Sequence, residues 1–253
     1  DLAGIQYESL RNRILPLADD VIVYPAHGAG SACGKNMMKE TVDTLGNQKK
    51  INYALRSDMT KEQFIQEVTD GLSAPPDYFP LNVKMNKEGY DDINLIIDKG
   101  DNPIDVSEFE EVVNQSGALI LDVRNQEDFS KGHIPRSIFI GLDGSFAPWV
   151  GTLVKDVKQP IILVVDKGKE KEAIKRLSRV GFDKTIGYLK GGFEAWKNSS
   201  KDYDTITSIS ANEFEKKIND DSFIIDVRRD SEHKSKKIVS AINTPLDNIN
   251  NYL

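Results

Sequence analysis

The stretch from residue 21 to residue 35 holds two side chains that could do chemistry. His27 is one of three histidines in the chain, and Cys33 is its only cysteine. A strand-like apolar run over residues 21–24 stops at Pro25, and a glycine-rich turn then leads to the thiol. An imidazole can bind a metal, and a thiolate can carry sulfur. This order predicts a strand that delivers a histidine to a pocket and a loop that wraps around it.

Composition and charge argue against several classes of function. The chain has 253 residues, of which 39% are hydrophobic, and this length favours two domains. A net charge of -7 and a pI near 5.1 disfavour nucleic acid as a partner, because phosphate binding needs basic clusters. No apolar run approaches the roughly 18 residues of a membrane span, and no secretory signal is visible. A single cysteine fits a reducing cytoplasm, and Asp1 in place of Met suggests a fragment.

Two segments of the chain resemble each other. Apolar runs over residues 117–121 and 222–225 both end in Asp-Val-Arg, at Asp122 and Asp226. The two aspartates lie about 100 residues apart, which is a typical domain length and indicates a tandem duplication.

Strands and helices alternate through the first copy, which predicts a parallel α/β sheet. Strands are predicted over 160–166 and 185–189, and an amphipathic helix over 169–180. Helices over 106–114 and 209–219 each begin with Ser followed by Glu, as in a capping box. Nearer the N-terminus the patterns predict helices over 7–15, 36–45 and 61–71, a loop over 74–80 and a linker over 89–102.

At Asp122-Val-Arg124 and Lys131-Gly-His-Ile-Pro135 the chain resembles a rhodanese domain, and the closing GGFEAW over residues 191–196 is also rhodanese-like. The resemblance covers about 103–198 and again 206–253. It implies that His133 is structural. Arg124 and Arg228 are expected to cap their strands and pair with acids. His233, in a charged run, is expected to be solvated.

The same resemblance places the catalytic cysteine at the end of the strand over 161–165, at the start of a six-residue loop. This chain has Asp166 there, followed by Lys-Gly-Lys-Glu-Lys. A thiolate held by backbone N–H groups would accept sulfur as a persulfide, whereas a carboxylate cannot. The first copy is therefore expected to be inactive, with Asp166 replacing the catalytic cysteine. The loop is then either a solvated turn or a retained anion-binding nest.

Residues 23–28 (VYPAHG) and the glycine-rich loop after them resemble the last metal-site motif of the metallo-β-lactamase fold, in its persulfide dioxygenase and glyoxalase II branch. The segments over 52–55 and 75–82 also fit. His27 is then a second-site metal ligand or an outer-shell donor, and Cys33 a pocket thiol that receives or holds persulfide sulfur. The alternatives are a buried, hydrogen-bonded His27 and a small buried Cys33. The family's other metal ligands would lie upstream of Asp1.

Together the resemblances imply a fragment of a persulfide dioxygenase–rhodanese fusion. The implied fold class is α/β: the C-terminal part of a metallo-β-lactamase αββα fold (1–95), then a rhodanese-like parallel α/β domain (103–200) and the N-terminal half of a second one (205–253). The parent would oxidise a low-molecular-weight thiol persulfide with O₂ at non-haem Fe(II) and act as a thiosulfate sulfurtransferase. The fragment alone is expected to be inactive.

Two other functions remain open at this point. One is a zinc thioester hydrolase of the glyoxalase II type, in which Zn replaces Fe(II). The other is a non-catalytic rhodanese module that docks a sulfur-carrier protein. A cytoplasmic location is expected, without nucleic acid or membrane partners, and association with further copies of the chain is left open.

Overall fold

A computed structural model describes residues 2–26, 41–70, 78–219 and 221–252. Contacts divide the chain into two compact units, Asp1–Ala74 and Pro75–Leu253. Across the described ranges, no helix is both long enough and apolar enough to cross a membrane. The predicted segments 1–95, 103–200 and 205–253 stay predictions.

The first unit is built mainly of short helices in its described part. Its elements are α1 (Leu2–Ser9) with a π-helical extension (Leu10–Ile14), β1 (Ile22–Val23), β2 (Asp43–Thr44), α2 (Leu45–Ile51), a 3-10 turn (Tyr53–Leu55) and α3 (Lys61–Thr69). β1 and β2 pair antiparallel. α1 packs on α3, where Phe64 is fully buried and the ring of Tyr7 stands edge-on to it at 5.5 Å between centroids.

The helices predicted over 7–15 and 61–71 are confirmed. α3 begins with a capping box in which the side chains of Thr60 and Gln63 each accept a backbone N–H of the other residue. The helix predicted over 36–45 is wrong at its described end. The side chain of Thr44 accepts the N–H of Asn47, so Asp43 and Thr44 form a strand and the helix begins only at Leu45.

A five-stranded parallel sheet with helices on both faces forms the centre of the second unit. The strand order is β3-β7-β6-β4-β5. In chain order the elements are α4 (Phe79–Glu88), α5 (Ile93–Gly100), β3 (Pro103–Ile104), α6 (Val106–Ser116), β4 (Leu119–Asp122), α7 (Gln126–Lys131), β5 (Ile138–Phe139), α8 (Phe146–Leu153), β6 (Ile161–Val164), α9 (Glu170–Ser178), β7 (Thr185–Leu189) and α10 (Gly192–Lys197).

The central strand β6 shows how the sheet is buried on both faces. Ile161 and Leu163 belong to the core beneath α8 and α9, while Ile162 and Val164 belong to the core around Phe109 and Trp196. All four β6 side chains have zero exposure, so the strand is continuously apolar rather than alternating. The predicted parallel α/β sheet and the predicted strand over 185–189 are confirmed.

The linker predicted over 89–102 is wrong over most of its length, because α5 occupies it. Asp92 caps this helix by accepting the N–H of Asn94 at 2.8 Å. One face of α5 is apolar and packs on α9 and β7, with Ile96 buried. At the loop predicted over 74–80, Phe79 and Pro80 already begin α4, with Pro at a position that tolerates its missing N–H.

Gly151 in α8 allows Tyr78 to reach the core, and this contact gives a testable expectation. A Cβ at position 151 would lie 2.1 Å from Cδ1 of Tyr78. Overpacking lowers the free energy of unfolding by about 1–3 kcal/mol, and the higher helix propensity of Ala raises it by about 1 kcal/mol. A separation as short as 2.1 Å places the cost in the upper part of that range, so we expect Gly151→Ala to lower the free energy of unfolding by about 1–2 kcal/mol. Urea unfolding of this variant beside Thr152→Ala, in the same helix, measures it; an unchanged or stabilised Gly151→Ala would show that Tyr78 does not fill this position.

The second copy repeats the first only in part. Its elements are α11 (Ala211–Lys217), β8 (Ile225–Asp226), α12 (Asp230–Ser235), β9 (Ile242–Asn243) and a 3-10 segment (Leu246–Asn251). Asp226 pairs with Asn243 as Asp122 pairs with Phe139. The predicted capping boxes differ between the copies: Ser210 and Glu213 form one at α11, whereas α6 begins at Asp105 without a side-chain cap.

Candidate functional site

The loop after β6 is the candidate site, because ligands of parallel α/β sheets bind at the carboxyl ends of the strands. Asp166 is exposed and follows Val165, the buried residue that comes directly after this strand. Its carbonyl oxygen accepts the N–H of Lys169 at 3.0 Å, which closes a turn immediately before α9. The turn presents a carboxylate, not a thiol, at the helix N-terminus.

Gly168 lies in this turn with φ of 88°, a conformation that favours glycine. Its N–H donates to Oε2 of Glu170 at 2.7 Å. An amide that could hold an anion is therefore already occupied by a carboxylate of the same chain. The first turn of α9 also carries Glu172, so negative charge gathers where an incoming anion would need positive charge. This contact disfavours the predicted anion-binding nest.

One lysine of the loop is held away from Asp166 by another carboxylate. Lys171 turns away and pairs with Asp101 at 3.1 Å, and this carboxylate raises the pKa of Lys171. Burial raises the pKa of the neighbouring Tyr188, with Asp101 adding to the effect. The described geometry thus leaves Asp166 beside lysines that serve other contacts or face solvent.

Two consecutive glycines close the loop from behind. Gly191 and Gly192 both have positive φ, of 79° and 62°. A Cβ on Gly192 would lie 3.1 Å from the carbonyl oxygen of Val165. These glycines of the GGFEAW segment let the start of α10 approach the strand that carries the loop.

Asp122 and Arg124 form a buried clip at the end of β4. The guanidinium donates to both carboxylate oxygens, with Nη2 at 2.6 Å from Oδ2, and Nη2 also donates to the carbonyl of Gly132 at 2.8 Å. Burial raises the pKa of Asp122, and hydrogen bonds from Arg124 oppose that shift. Arg124 also lies 4.3 Å from the ring centroid of Phe193. The predicted strand-capping role of Arg124 is confirmed.

His133 is held as a structural residue. Its ring stacks on Phe129 at 4.0 Å, and Nδ1 lies 3.0 Å from the carbonyl of the same residue. Its backbone bonds to Asp204 in both directions. These contacts confirm the predicted structural role.

The second copy reproduces the clip at its surface. Arg228 donates to both oxygens of Asp226, with 2.6 Å between Nη2 and Oδ2, and to the carbonyl of Lys236. The side chains here are 46% and 11% exposed, against 7% and 0% in the first copy. His233 follows Asp226 at the spacing by which Phe129 follows Asp122. The prediction that His233 is solvated is wrong: it is half-buried, and within the described residues its Nε2 has no partner.

The clip of the second copy predicts a pH dependence. Hydrogen bonds from Arg228 lower the pKa of Asp226 from its ordinary 3.8 to about 2. A lowered folded-state pKa means that the pair stabilises the fold above pH 3.8, and that this stabilisation disappears as the pH falls through about 2. We expect a carboxyl NMR titration to give a midpoint near 2 for Asp226 and one near 3.8 in Arg228→Ala. Equal midpoints in the two proteins would contradict the ion pair.

The first two candidate residues, His27 and Cys33, lie outside the described residues. Elsewhere in the described chain, no three His, Cys, Asp or Glu side chains come together as a metal-binding group. The described residues therefore do not by themselves form a centre for iron or zinc. Asp166 is the one predicted catalytic position that the structure describes.

Sequence reasoning missed the contact between Gly168 and Glu170. A signal was present, since an acidic residue in the first turn of a helix favours bonds to free N–H groups at that end. The choice of Gly168 as its partner depends on the positive φ of that glycine, which the sequence indicates only weakly.

Comparisons with known proteins agree with this geometry. Residues 105–199 match the family model described as the rhodanese-like domain. The uncharacterised protein YibN of Escherichia coli is 34% identical over 86 residues, which cover 34% of this chain and 59% of YibN. The thiosulfate sulfurtransferase GlpE of Pseudomonas savastanoi pv. phaseolicola is 28% identical over 93 residues, or 36% of this chain and 84% of that protein.

One solved structure extends the similarity beyond the rhodanese-like part. A metallo-beta-lactamase from Staphylococcus aureus subsp. aureus COL is 27% identical, with a TM-score of 0.53 over 74% of this chain and 49% of that one. The chain thus spans 59% of YibN and about half of this solved chain. The predicted fold class is confirmed: a mixed α/β chain with a rhodanese-like parallel sheet and structural similarity to a metallo-β-lactamase-fold protein.

Proposed function

We propose that this chain belongs to a sulfur-metabolism protein that oxidises a low-molecular-weight persulfide. In the reaction a persulfide, O₂ and water give a thiol and sulfurous acid: the outer sulfur is oxidised and O₂ is reduced. The rhodanese-like domain over 105–199 accompanies this oxidation as a binding domain and does not itself transfer sulfur. The proposal that this domain does not transfer sulfur rests on Asp166, a carboxylate at the end of β6 in the position of a sulfur-transferring thiol.

The combination of similarities supports the sulfur assignment. The chain holds a rhodanese-like domain over 105–199, and its structural likeness to a metallo-beta-lactamase covers 74% of its length and so extends beyond that domain. One similar protein is a thiosulfate sulfurtransferase by name. Persulfide oxidation yields sulfite, and sulfite with a further persulfide gives thiosulfate by sulfur transfer. A persulfide-oxidising unit and rhodanese-like units are therefore chemically connected.

The iron that would activate O₂ finds no site among the described residues. Two histidines and one carboxylate would bind it and leave positions open for O₂ and the persulfide. His27, proposed as a second-site ligand or an outer-shell donor, and Cys33, proposed as a pocket thiol, lie outside the described residues. The proposal therefore requires that the complete protein bind the metal.

The test uses the complete protein that contains this chain. We expect it to hold iron and to consume O₂ when glutathione persulfide is added, with sulfite as product. Tightly bound zinc without O₂ uptake would reject the proposal, and hydrolysis of a lactoyl thioester would then favour the zinc hydrolase. In a separate assay, residues 1–253 should form no thiocyanate from thiosulfate and cyanide. Thiocyanate formation would show that the rhodanese-like domain transfers sulfur and would reject this part of the proposal.

A further inference from the structure

A cavity lies in the rhodanese-like domain, away from Asp166. It has a volume of about 650 Å³ and is lined from the second half of α6, the start of β4, the turn before β5 and the turn after α10. In a parallel sheet these positions gather at the edge where the strands begin. The cavity therefore lies at the edge opposite to the Asp166 loop, and its volume falls in the range of small-ligand sites.

The floor of this cavity is apolar and rigid. Val113, Ile134 and Trp196 are buried in the core beneath it. The indole Nε1 of Trp196 donates to the carbonyl of Asp202 at 2.9 Å, which fixes the ring and the turn together. Phe109 packs edge-on against the same ring. A ligand would therefore meet a preformed surface.

Two strained residues form the rim. Arg136 has φ of 65° and Ser200 has φ of 61°; they are the non-glycine residues with positive φ in the described part of the chain, and both line this cavity. Left-handed backbone is unfavourable for residues with a Cβ. Such strain persists where the surroundings fix it, and it concentrates at ligand sites.

The duplication shows that the turn itself does not require this strain. The N–H of Ser137 donates to the carbonyl of Ile134, and Ala241 donates to Ile238 in the same way. Ser240 therefore occupies the position of Arg136 in the second copy, and its φ is not positive. The left-handed backbone at Arg136 is thus specific to the first copy, and Arg136 lines the cavity.

Charges on the rim form one satisfied pair and two free groups. Lys201 pairs with Glu110 and lies 5.2 Å from the ring centroid of Trp196. Within the described residues, neither the exposed guanidinium of Arg136 nor the exposed carboxylate of Asp202 makes an ion pair. One free cation and one free anion thus flank the apolar floor.

We propose that this cavity binds a zwitterionic amino acid or short peptide with an apolar side chain. The guanidinium of Arg136 takes the carboxylate through paired N–H donors, and the carboxylate of Asp202 takes the ammonium group. The apolar side chain lies on the floor above Trp196. The site stands apart from the Asp166 loop and does not depend on sulfur chemistry.

The dipeptide leucyl-leucine is the probe, titrated into residues 1–253 with Trp149→Phe so that fluorescence reports Trp196. We expect a Kd below about 1 mM, and binding at least about tenfold weaker for N-acetyl-leucyl-leucine and for leucyl-leucine amide. Asp202→Asn should remove the preference for the free ammonium group. Equal binding of the three probes, or none up to about 10 mM, would reject the proposal.

Arg136→Gly separates binding from folding. Glycine relieves the left-handed strain, so we expect Tm to rise by about 2 °C while leucyl-leucine binds at least about tenfold more weakly. Ser240→Gly is the matched control at the equivalent turn, where no strain exists, and should give no rise in Tm. Unchanged leucyl-leucine affinity in Arg136→Gly would show that the arginine does not serve this site.

Discussion

Replacing Arg124 with alanine is expected to lower the free energy of unfolding by about 3–5 kcal/mol, because the carboxylate of Asp122 would remain buried without its partner. Asp122 has no exposed side-chain surface, and Arg124 is 7% exposed. The guanidinium also satisfies the carbonyl of Gly132 and covers the ring of Phe193. Urea unfolding followed by circular dichroism measures the loss, with a lower midpoint at an unchanged slope.

The duplication supplies a matched control in the same chain. Arg228 makes the same bonds to Asp226 as Arg124 makes to Asp122, and both pairs have 2.6 Å between Nη2 and Oδ2. Arg228 is 46% exposed, so water reaches this pair and screens the charge that remains when the pair is broken. We therefore expect Arg228→Ala to cause a much smaller loss than Arg124→Ala. Equal losses would show that geometry, not burial, determines the contribution of the clip.

A double substitution separates the cost of an orphaned charge from the value of the pair. Replacing both partners by apolar groups removes the charges together, and such replacements of buried pairs are often neutral. We expect Asp122→Leu with Arg124→Met to be more stable than Arg124→Ala alone. A double variant at least as unstable as the single one would place the main contribution of Arg124 in its bond to Gly132.

Local signals in the sequence account for the parts of the fold that were predicted correctly. The apolar run over β6 is short and rich in Ile and Val, which favours a strand buried on both faces, and the Asp-Val-Arg motif carries its own ion pair two residues apart. The amphipathic pattern of α9 likewise determines which of its faces meets the core. In each case the residues that decide the structure lie within one element or one turn.

Features that depend on distant contacts were not predicted. α5 has its own N-cap at Asp92 and an apolar face, but it lies among acidic and glycine residues that indicate a linker, and its packing on α9 and β7 cannot be predicted from the segment alone. The burial of Nε2 of His233 depends on the groups that pack around α12, and the sequence of this helix does not indicate them. The two Asp-Val-Arg motifs are identical in sequence, yet one lies in the core and the other at the surface. Their different burial follows from neighbouring strands, which the motif does not encode.

The candidate site divides in the same way. Its position after β6 and its missing thiol follow from the sequence, because both depend on one strand and one residue. That Glu170 accepts the N–H of Gly168 could be seen only from the geometry of the turn. Because of this contact, we expect that a thiol at position 166 would not by itself restore sulfur transfer, since the amide that would hold an anion is still occupied.

Chain 1–253 with Asp166→Cys and Glu170→Ala, which removes the acceptor from the N–H of Gly168, is expected to form thiocyanate from thiosulfate and cyanide, whereas the unchanged chain forms none. The new thiolate would attack the outer sulfur of thiosulfate and release sulfite. Cyanide would then take that sulfur from the persulfide and regenerate the thiolate. Freeing the N–H of Gly168 provides a donor for the anion, and a single such donor changes rates by about 10²–10³ in comparable sites.

Asp166→Cys alone keeps the carboxylate of Glu170 on the amide, so its rate should be at least about tenfold below that of the double variant. The matched control is Asp166→Cys with Glu172→Ala, which removes the same charge from the same helical turn. Oε1 of Glu172 lies 3.7 Å from Nη1 of Arg176 and is not a partner of Gly168, so this change frees no amide. A Glu172→Ala double variant as fast as the Glu170→Ala one would assign the effect to net charge. The serine version, Asp166→Ser with Glu170→Ala, should stay inactive, and activity there would place the sulfur-carrying group elsewhere in the chain.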